Sequence, residues 1–572
     1  MSVHKLILIL TGSVLISCAD LDNGMKPLSQ YSDSVQKWAF IFDPSAISQK
    51  ERLRELEWFE YVSRDLQGIS IRSTAENIQT HYWESLFLSR AFEEITGIKV
   101  EHKIQPEGDL VPELMDQIEN NNYLYDIYVN DADLIGTHLR LNSVINLTTY
   151  MERDGWQYTN PYLDLDDFLN LEMGQDYDGN QLQLPDQQFA NLYWFRYDWF
   201  SRKDIKKLFY QLYGYELGVP LNWAAYNDIA EFFSHNRIDG NKVYGHLDYG
   251  KPSPSLGWRF TDSWLAMAGV GDQGIPNGLP VDDWGIRVED SIPVGSSVIR
   301  GGATDSPAAI YALQTYLDWL NKYAPSDAQL WEWVDAGTRA AQGDIAQRIF
   351  QYTNWLSDPS FHSLSSPVTY NDGSPRWRVA PSPHGKYWNE GMKSGYQDCG
   401  SWTIPRGIDG KKRAAAWLWA QFCVSKTVSL KKFLEGGTPV RISTLNSPYI
   451  RKRIDSYGGL IEFYLSASQK QWTSSSLNVP YYSEMAEIWW KNITFALTGE
   501  LSSEETMTLI ALEQDNLMSG LQLLQFNPRI EVGQGRDFWL SRSGSPKPEN
   551  PDAQVPETMS YEKILQRWRT GK

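Results

Sequence analysis

The sequence predicts an α/β protein built as two lobes. Three observations carry that reading. Short strand-like runs alternate with helical patterns between residues 68 and 140, the signature of a parallel sheet covered on both faces. A second block of aromatic strand and helix patterns begins near residue 190. At 572 residues, the chain is too long for one hydrophobic core.

The elements follow in order. His4 and Lys5 precede an apolar run over 6–16, too short to span a bilayer and therefore read as an export signal covering 1–18. Two cleavage readings stay open. Leu15-Ile16-Ser17-Cys18 fits a lipoprotein box that would leave a lipidated Cys18, and this is preferred; small-x-small cleavage after Ala19 is the other. Residues 19–34 form a polar tether, and 35–66 are amphipathic, with no role that the sequence assigns. Residues 68–71 read as a strand, and 82–96 as a helix closed by Gly97. Residues 98–104 alternate as a strand, 111–120 read as a helix, and 125–129 as a third strand before a helix from about 133. Residues 190–200 form a dense aromatic strand, Asn222 caps a helix, 243–247 read as a strand, and 270–304 as a long Gly- and Pro-rich loop. Ser306-Pro307 opens a helix. Residues 345–355 run from a helix or turn into a strand, 413–434 form one helix ended by Gly436-Gly437, and 481–519 are largely helical. The Pro- and Ser-rich stretch 543–558 reads as disordered, and 561–569 as a short basic amphipathic helix.

Composition narrows the function. The net charge of −19 disfavours nucleic acid and anionic lipid as partners. No later apolar run reaches 18 residues. Cys399 and Cys423 are the only cysteines after Cys18; they read as free thiols, a disulfide being the alternative, and without a histidine cluster they make no zinc site. Residues 269–274 match GxGxxG, but Pro276 follows where a phosphate-binding helix should start. Residues 245–251 approach a P-loop, but Pro252 stands where a magnesium-binding hydroxyl belongs. No metal, cofactor or catalytic triad is expected, and acidic clusters such as Asp164, Asp166 and Asp167 read as solvated loops. The 24 tryptophans suit both a core and a site offering flat apolar faces.

At this point the chain resembles a family. AFEEITGIKVEHKI (91–104), YDIYVNDADLIGTHLR (125–140), LPDQQFANLYWFRYDWF (184–200), YGYELGVPLNWAAYNDIAEFF (213–233), YGHLDYG (244–250) and GGTPVRISTL (436–445) match, in order, the family 1 extracellular solute-binding proteins of ABC importers. GWRFTDSWLAMAG (257–269), APSPHGKYW (380–388) and GYQDCGSWTIP (395–405) resemble its glycerol and polyol branch, from which Cys399 departs. The resemblance implies the two-lobed periplasmic-binding-protein type II fold with hinge crossover strands. One lobe would comprise 66–185 plus 385–435, the other 190–380 plus 436–520, with a tail at 543–572. It implies a monomeric, extracytoplasmic binding protein, not an enzyme, that passes a small polyol or sugar (glycerol favoured) to a membrane permease. Other readings stay open: a mono- or oligosaccharide ligand, a secreted glycoside-active enzyme, and a lipid-anchored adhesin.

Open parallel sheets bind ligands beyond the carboxyl ends of their strands, and hydroxyl groups call for carboxylate or amide acceptors with aromatic walls. The first-lobe candidates are therefore Glu76, His81, Tyr82, Asn130, Asp131 and Asp133. The second lobe offers Tyr193, Trp264 and Trp355. The returning strand offers Gly400, Ser401 and Trp402, with Gly400 admitting a ligand close to the backbone. Arg441 is a candidate donor to ligand oxygens.

Overall fold

The computed structural model describes residues 27–131, 134–271, 281, 284–289, 292–474, 479–520, 536–540 and 549–571. The expected export signal with Cys18, and Asp133, lie outside the described residues. So does the second half of the GxGxxG match, residues 272–274.

Two mixed sheets organise the molecule. In the first, the order is Lys99–Gln105, Ser70–Glu76, Ile127–Asn130, Ser401–Thr403 and Leu184–Pro185. The first three strands are parallel, and Ser401–Thr403 returns antiparallel with Ser401 opposite Asn130. In the second, Phe189–Arg196 is the spine, as its uninterrupted burial demands. Trp377–Ala380, Gln347–Tyr352 and Gly395–Asp398 all pair with it antiparallel, and Trp472–Thr473 joins Gly395–Asp398.

The chain passes between the sheets at 185–189 and back at 398–401. The two passages are tied together, because the Gly400 carbonyl accepts from Asp186 N at 2.8 Å and Gln187 N at 2.9 Å. A third passage joins them where Gln188 N donates to Thr438 Oγ1 at 2.6 Å. The return to the first lobe thus falls near residue 400, later than the expected 385, because Gly395–Asp398 still pairs with the spine of the second sheet.

Local chemistry explains the first lobe. The helical run after Ser70–Glu76 is Gln79–Trp83, a π-helical turn Glu84–Leu88, and Ser89–Thr96. It ends at Gly97, whose φ of 71° is in the left-handed region that glycine occupies without strain. Residues 35–66, without an assigned role in the sequence, form helices Asp33–Ile41 and Gln49–Val62. The second starts with a reciprocal Ser48–Glu51 capping box. Both helices pack on this lobe, with Phe59 edge-on to Phe422 at 5.3 Å. The single helix expected over 413–434 is two, Gly410–Cys423 and Lys426–Leu434. The Ser425 hydroxyl caps the second by accepting from Val428 N, which breaks the run.

The second lobe is wrapped around buried tryptophans: Trp194, Trp223, Trp264, Trp284, Trp377, Trp472 and Trp489 are all under 2 % or near 2 % exposed. Asn222 caps Trp223–His235 as expected, accepting from Ala225 N. Residues 243–247 form no strand, only an isolated bridge from Tyr244 to Ile345.

The tail departs from expectation. Residues 549–558 are not free of the fold: Thr558–Met559 pairs with Val219–Pro220, and the Val555 carbonyl accepts from Asn222. The Tyr561–Thr570 helix then buries Tyr561, Ile564 and Trp568 on the second lobe. Proline suits such a segment, which lies along a lobe in extended form with few backbone donors to satisfy. Among the described residues no helix is long and apolar enough to cross a membrane. Cys399 and Cys423 are both buried free thiols.

Candidate functional site

The strand tips of the first sheet face an aromatic helix of the second lobe across a cavity. The first lobe contributes Glu76 at the end of Ser70–Glu76, Glu107 at the start of the Glu107–Asn120 helix, and Asp131 just past Ile127–Asn130. The second lobe contributes Tyr249, Ser255, Trp258, Asp262, Trp333, Tyr352 and Tyr482. Phe189, Tyr396 and Asp398 come from the crossing strands. A neighbouring recess shares Glu76, Glu107, Asp131, Trp258 and Tyr482 and adds Asn130 with the apolar Val111 and Leu134. The lobes meet at the rim: Gly108 lies beside Pro254, and Arg140 donates to the Val479 carbonyl at 3.0 Å.

The aromatic wall depends on an irregular helix. Pro254–Arg259 begins with proline in its first turn, where a missing N–H costs nothing. It passes into a π-helical turn, Phe260–Trp264, and ends as Leu265–Ala268. The wider turn changes the angular step along the helix, a feature frequent at functional sites. Trp258 and Asp262 reach the cavity, while Trp264 turns into the core. Trp258 stacks on Tyr482 with centroids 6.1 Å apart, and Trp333 meets Tyr352 edge-on at 5.6 Å. Phe350 and Tyr481 hold left-handed backbone at φ 50° and 49°, and each lies within two residues of a cavity tyrosine. Such strain persists where the surrounding packing fixes it and clusters at ligand sites.

The first-lobe wall is acidic and tightly held. Burial pushes the Glu76 carboxyl up to about 8; the Asp131 charge adds to this and His81 opposes it. Burial also raises Asp131, although hydrogen bonds with Asp398 and Glu107 work the other way. Glu107 is raised as well, by burial and then by Asp131, Glu76 and Asp262. Neighbouring carboxyls within hydrogen-bonding reach share protons because both cannot ionise cheaply.

Behind this wall lies a separate buried ionic cluster. Lys432 bridges Glu84 and Asp186, its Nζ lying 2.5 Å from Asp186 Oδ1. His81 Nε2 lies 3.7 Å from Asp186, and its Nδ1 is 2.9 Å from the Glu76 carbonyl, so the cluster braces the Glu76 strand tip. Burial alone would raise Asp186, but Lys432 and His81 outweigh it and hold the carboxyl near 2. His81, Glu84 and Asp186 bring three potential metal-ligand atoms within 4.8 Å of one another. The Lys432 ammonium already supplies their counter-charge, so the set reads as a structural ion network.

Of the residues singled out by sequence, Glu76, Asn130 and Asp131 come together at the cavity and its recess. The structure does not bring the others there. His81 is fully buried in the ionic cluster, and Tyr82 is 47 % exposed on the surface. Tyr193 is a core residue whose hydroxyl donates to Gln347 at 2.7 Å. Trp264 packs against Trp223, Tyr316 and Trp319 and points its N–H at Asp248. The Trp355 side chain lies outside the described residues. Gly400 does permit a close approach, but the approaching atoms belong to Phe189 and Gln187 of the neighbouring passage. The Ser401 hydroxyl donates to the Cys399 carbonyl, and Trp402 donates to Asp186 at 2.6 Å in the first-lobe core. Arg441 is a buried strut: it donates to the Val424 and Leu163 carbonyls and pairs with Asp167, which consumes its donors.

Sequence reasoning missed Glu107, Tyr249, Trp258, Asp262, Trp333, Tyr352, Tyr396, Asp398 and Tyr482. For Glu107 the signal was present, since it sits at the tip of the second strand. For Trp258 and Asp262, four residues apart on one helix face, the cue was an acid and an aromatic sharing a face.

Comparison with known proteins places this architecture. Solved structures of similar fold include a solute-binding protein of Agrobacterium radiobacter K84 in complex with ribitol, at 19 % identity and a TM-score of 0.61, covering 79 % of this chain and 99 % of that one. A maltose-bound protein of T. maritima aligns at 18 % identity and 0.59, over 79 % and 100 %. A solute-binding protein of Agrobacterium vitis S4 with bound D-mannitol aligns at 15 % and 0.57, over 80 % and 100 %. At these identities the likeness is one of fold: the two-lobed α/β architecture of solute-binding proteins. Residues 88–452, well over half of the chain, match a single family model described as bacterial extracellular solute-binding protein. A cavity walled by both lobes, a hinge of crossing strands and this match together make the chain a member of the bacterial extracellular solute-binding protein family.

Proposed function

We propose that the protein captures a small polyhydroxylated solute, a polyol or sugar, between its lobes outside the cytoplasm and delivers it to the permease of an ABC importer. The observation that carries this reading is that one cavity draws carboxylates from the first lobe and aromatic rings from the second. A ligand touching both walls binds the closed arrangement better than the open one and so shifts the population toward it. Carboxyl groups accept from or donate to hydroxyls, and the Trp258 and Trp333 rings suit the C–H faces of a sugar or extended polyol. Seven aromatic side chains line the cavity, and such broad apolar faces suit a longer polyol or a pyranose better than glycerol. The protein acts as a monomeric carrier that releases its solute unchanged, anchored to the envelope where Cys18 is lipidated.

A thermal-shift panel of glycerol, ribitol, D-mannitol, D-glucose, D-glucosamine and maltose tests this, with small-angle scattering on any hit. Ligand at about 100 times its dissociation constant adds roughly 2.7 kcal/mol of stability. A raised melting temperature, a smaller radius of gyration and recovery of intact solute are expected. A panel in which no member shifts the protein would sink the reading.

A further inference from the structure

The cavity is unusually one-sided in charge. Among its described lining residues are five carboxylates, Glu76, Glu107, Asp131, Asp262 and Asp398, and no lysine, arginine or histidine. Neutral hydroxyls need acceptors and donors alike, and Ser255, the tyrosine hydroxyls and the Trp258 N–H can donate; five carboxyls exceed that need, and every charged group here is an acid. Glu76 is 8 % exposed. Among the described residues no hydrogen bond or ion pair reaches its carboxylate oxygens; the charged groups that act on it are Asp131 and His81, and His81 is already committed to Asp186 and to the Glu76 carbonyl. A buried carboxylate without a partner is costly unless something binds it.

The approach to the cavity carries the same sign. An open depression that shares Trp258 with the cavity, between the Glu107–Asn120 and Tyr482–Thr498 helices, is lined by Asp116, Glu119, Glu484 and Glu487, of which Glu487 is paired with Lys491 and the other three leave the surface acidic. A funnel of one sign steers an oppositely charged ligand and raises its on-rate. A metal ion fits less well than an organic cation. Among the described residues only His81, Glu84 and Asp186, behind the cavity, gather three ligand atoms within 4.8 Å. The opposite wall is aromatic, with Trp258 and Trp333 offering ring faces that attract ammonium groups.

We infer that the solute carries a positively charged nitrogen: an amino sugar or aminated polyol whose ammonium group lies among the first-lobe carboxylates and whose carbon skeleton lies on the aromatic wall. This rests on the polyol or sugar reading above and names the class within it. Protons that the carboxyls hold in water leave when the ammonium takes their place.

Matched pairs test it by isothermal titration on the full chain: 1-amino-1-deoxy-D-glucitol against D-glucitol, and D-glucosamine against D-glucose, with calcium chloride alone as a third arm. At least one amine is expected to bind about tenfold or more tighter than its neutral partner at low salt. Glu76→Gln is expected to weaken the amine more than its neutral partner and so narrow that ratio to about threefold or less. Should that variant fail to fold, Glu107→Gln at the half-buried helix start makes the same comparison. A neutral partner binding as tightly as its amine overturns the inference and leaves the solute-binding reading standing. Saturable calcium binding with no response to either amine also overturns it. If neither member of either pair binds, both readings fall.

Discussion

Replacing Glu76 by glutamine should make the ligand-free protein more stable in mildly alkaline solution. Burial pushes this carboxyl up to about 8 from an ordinary value of 4.5. Between those two values the folded state holds a proton that the unfolded state gives up, so stability falls as pH rises from about 5 to about 8. Each tenfold change in proton affinity is worth about 1.4 kcal/mol, which gives an upper limit of about 5 kcal/mol for Glu76 alone. Because Asp131 titrates with it, roughly half of that is expected to appear at this position. A loss of about 1 kcal/mol moves the melting temperature of a domain of this size by roughly 2–4 °C. Differential scanning calorimetry from pH 5 to pH 9 should therefore show Glu76→Gln matching the parent near pH 5. It should exceed the parent by roughly 5–10 °C near pH 8.5. Parallel curves across the range, or a variant less stable than the parent at pH 8.5, would refute the argument that this carboxylate is buried at a cost to the fold. The same substitution should weaken solute binding, the usual exchange between stability and function at a site.

Further predictions follow from the packing. Lys432→Met strands Glu84 and Asp186 without their counter-ion and should cost roughly 3–5 kcal/mol in a urea titration; a loss below about 1 kcal/mol would mean that the network is solvated. Trp258→Ala, which removes the stacked face beside Tyr482, should weaken solute binding by about 2 kcal/mol, close to thirtyfold, with the fold retained by circular dichroism. Arg140→Ala removes the bond to Val479 between the lobes, worth about 1 kcal/mol, and should enlarge the ligand-free radius of gyration in solution scattering. Deleting residues 549–572 uncovers the ground beneath Tyr561, Ile564 and Trp568. At roughly 1.5–3 kcal/mol per buried side chain as an upper range, the deletion should lower the melting temperature clearly; an unchanged transition would show that the tail is dispensable.

The first lobe was the more legible half because its first three strands are parallel and alternate with helices. Its strands end in polar tips before each helix, and those tips hold Glu76, Asn130 and Asp131. The second lobe was harder to read for the opposite reason. Aromatic side chains dominate both its core and its site, so residue type alone could not separate Trp264 from Trp258. The π-helical turn at Phe260–Trp264 decides between them, and periodicity assumes a regular helix. Arg441 misled because a cation after Gly436-Gly437 reads as exposed, whereas carbonyls from 163 and 424 enclose it. Those contacts span more than 270 residues in one case, beyond the reach of any local pattern. The tail was misjudged because its composition suits disorder, and only the groove beside Val219–Pro220 gives it a place.

The earliest described helices ride on the first lobe, and the Tyr561–Thr570 helix rides on the second. Whatever is fastened near one end of the described chain therefore travels with a different rigid body from whatever is fastened near the other. A pair of fluorophores placed at Lys37 and Gln566 would report hinge motion directly as a change in energy transfer, without any label near the cleft. An envelope tether upstream of residue 27 would hold the first lobe and leave the second free to swing.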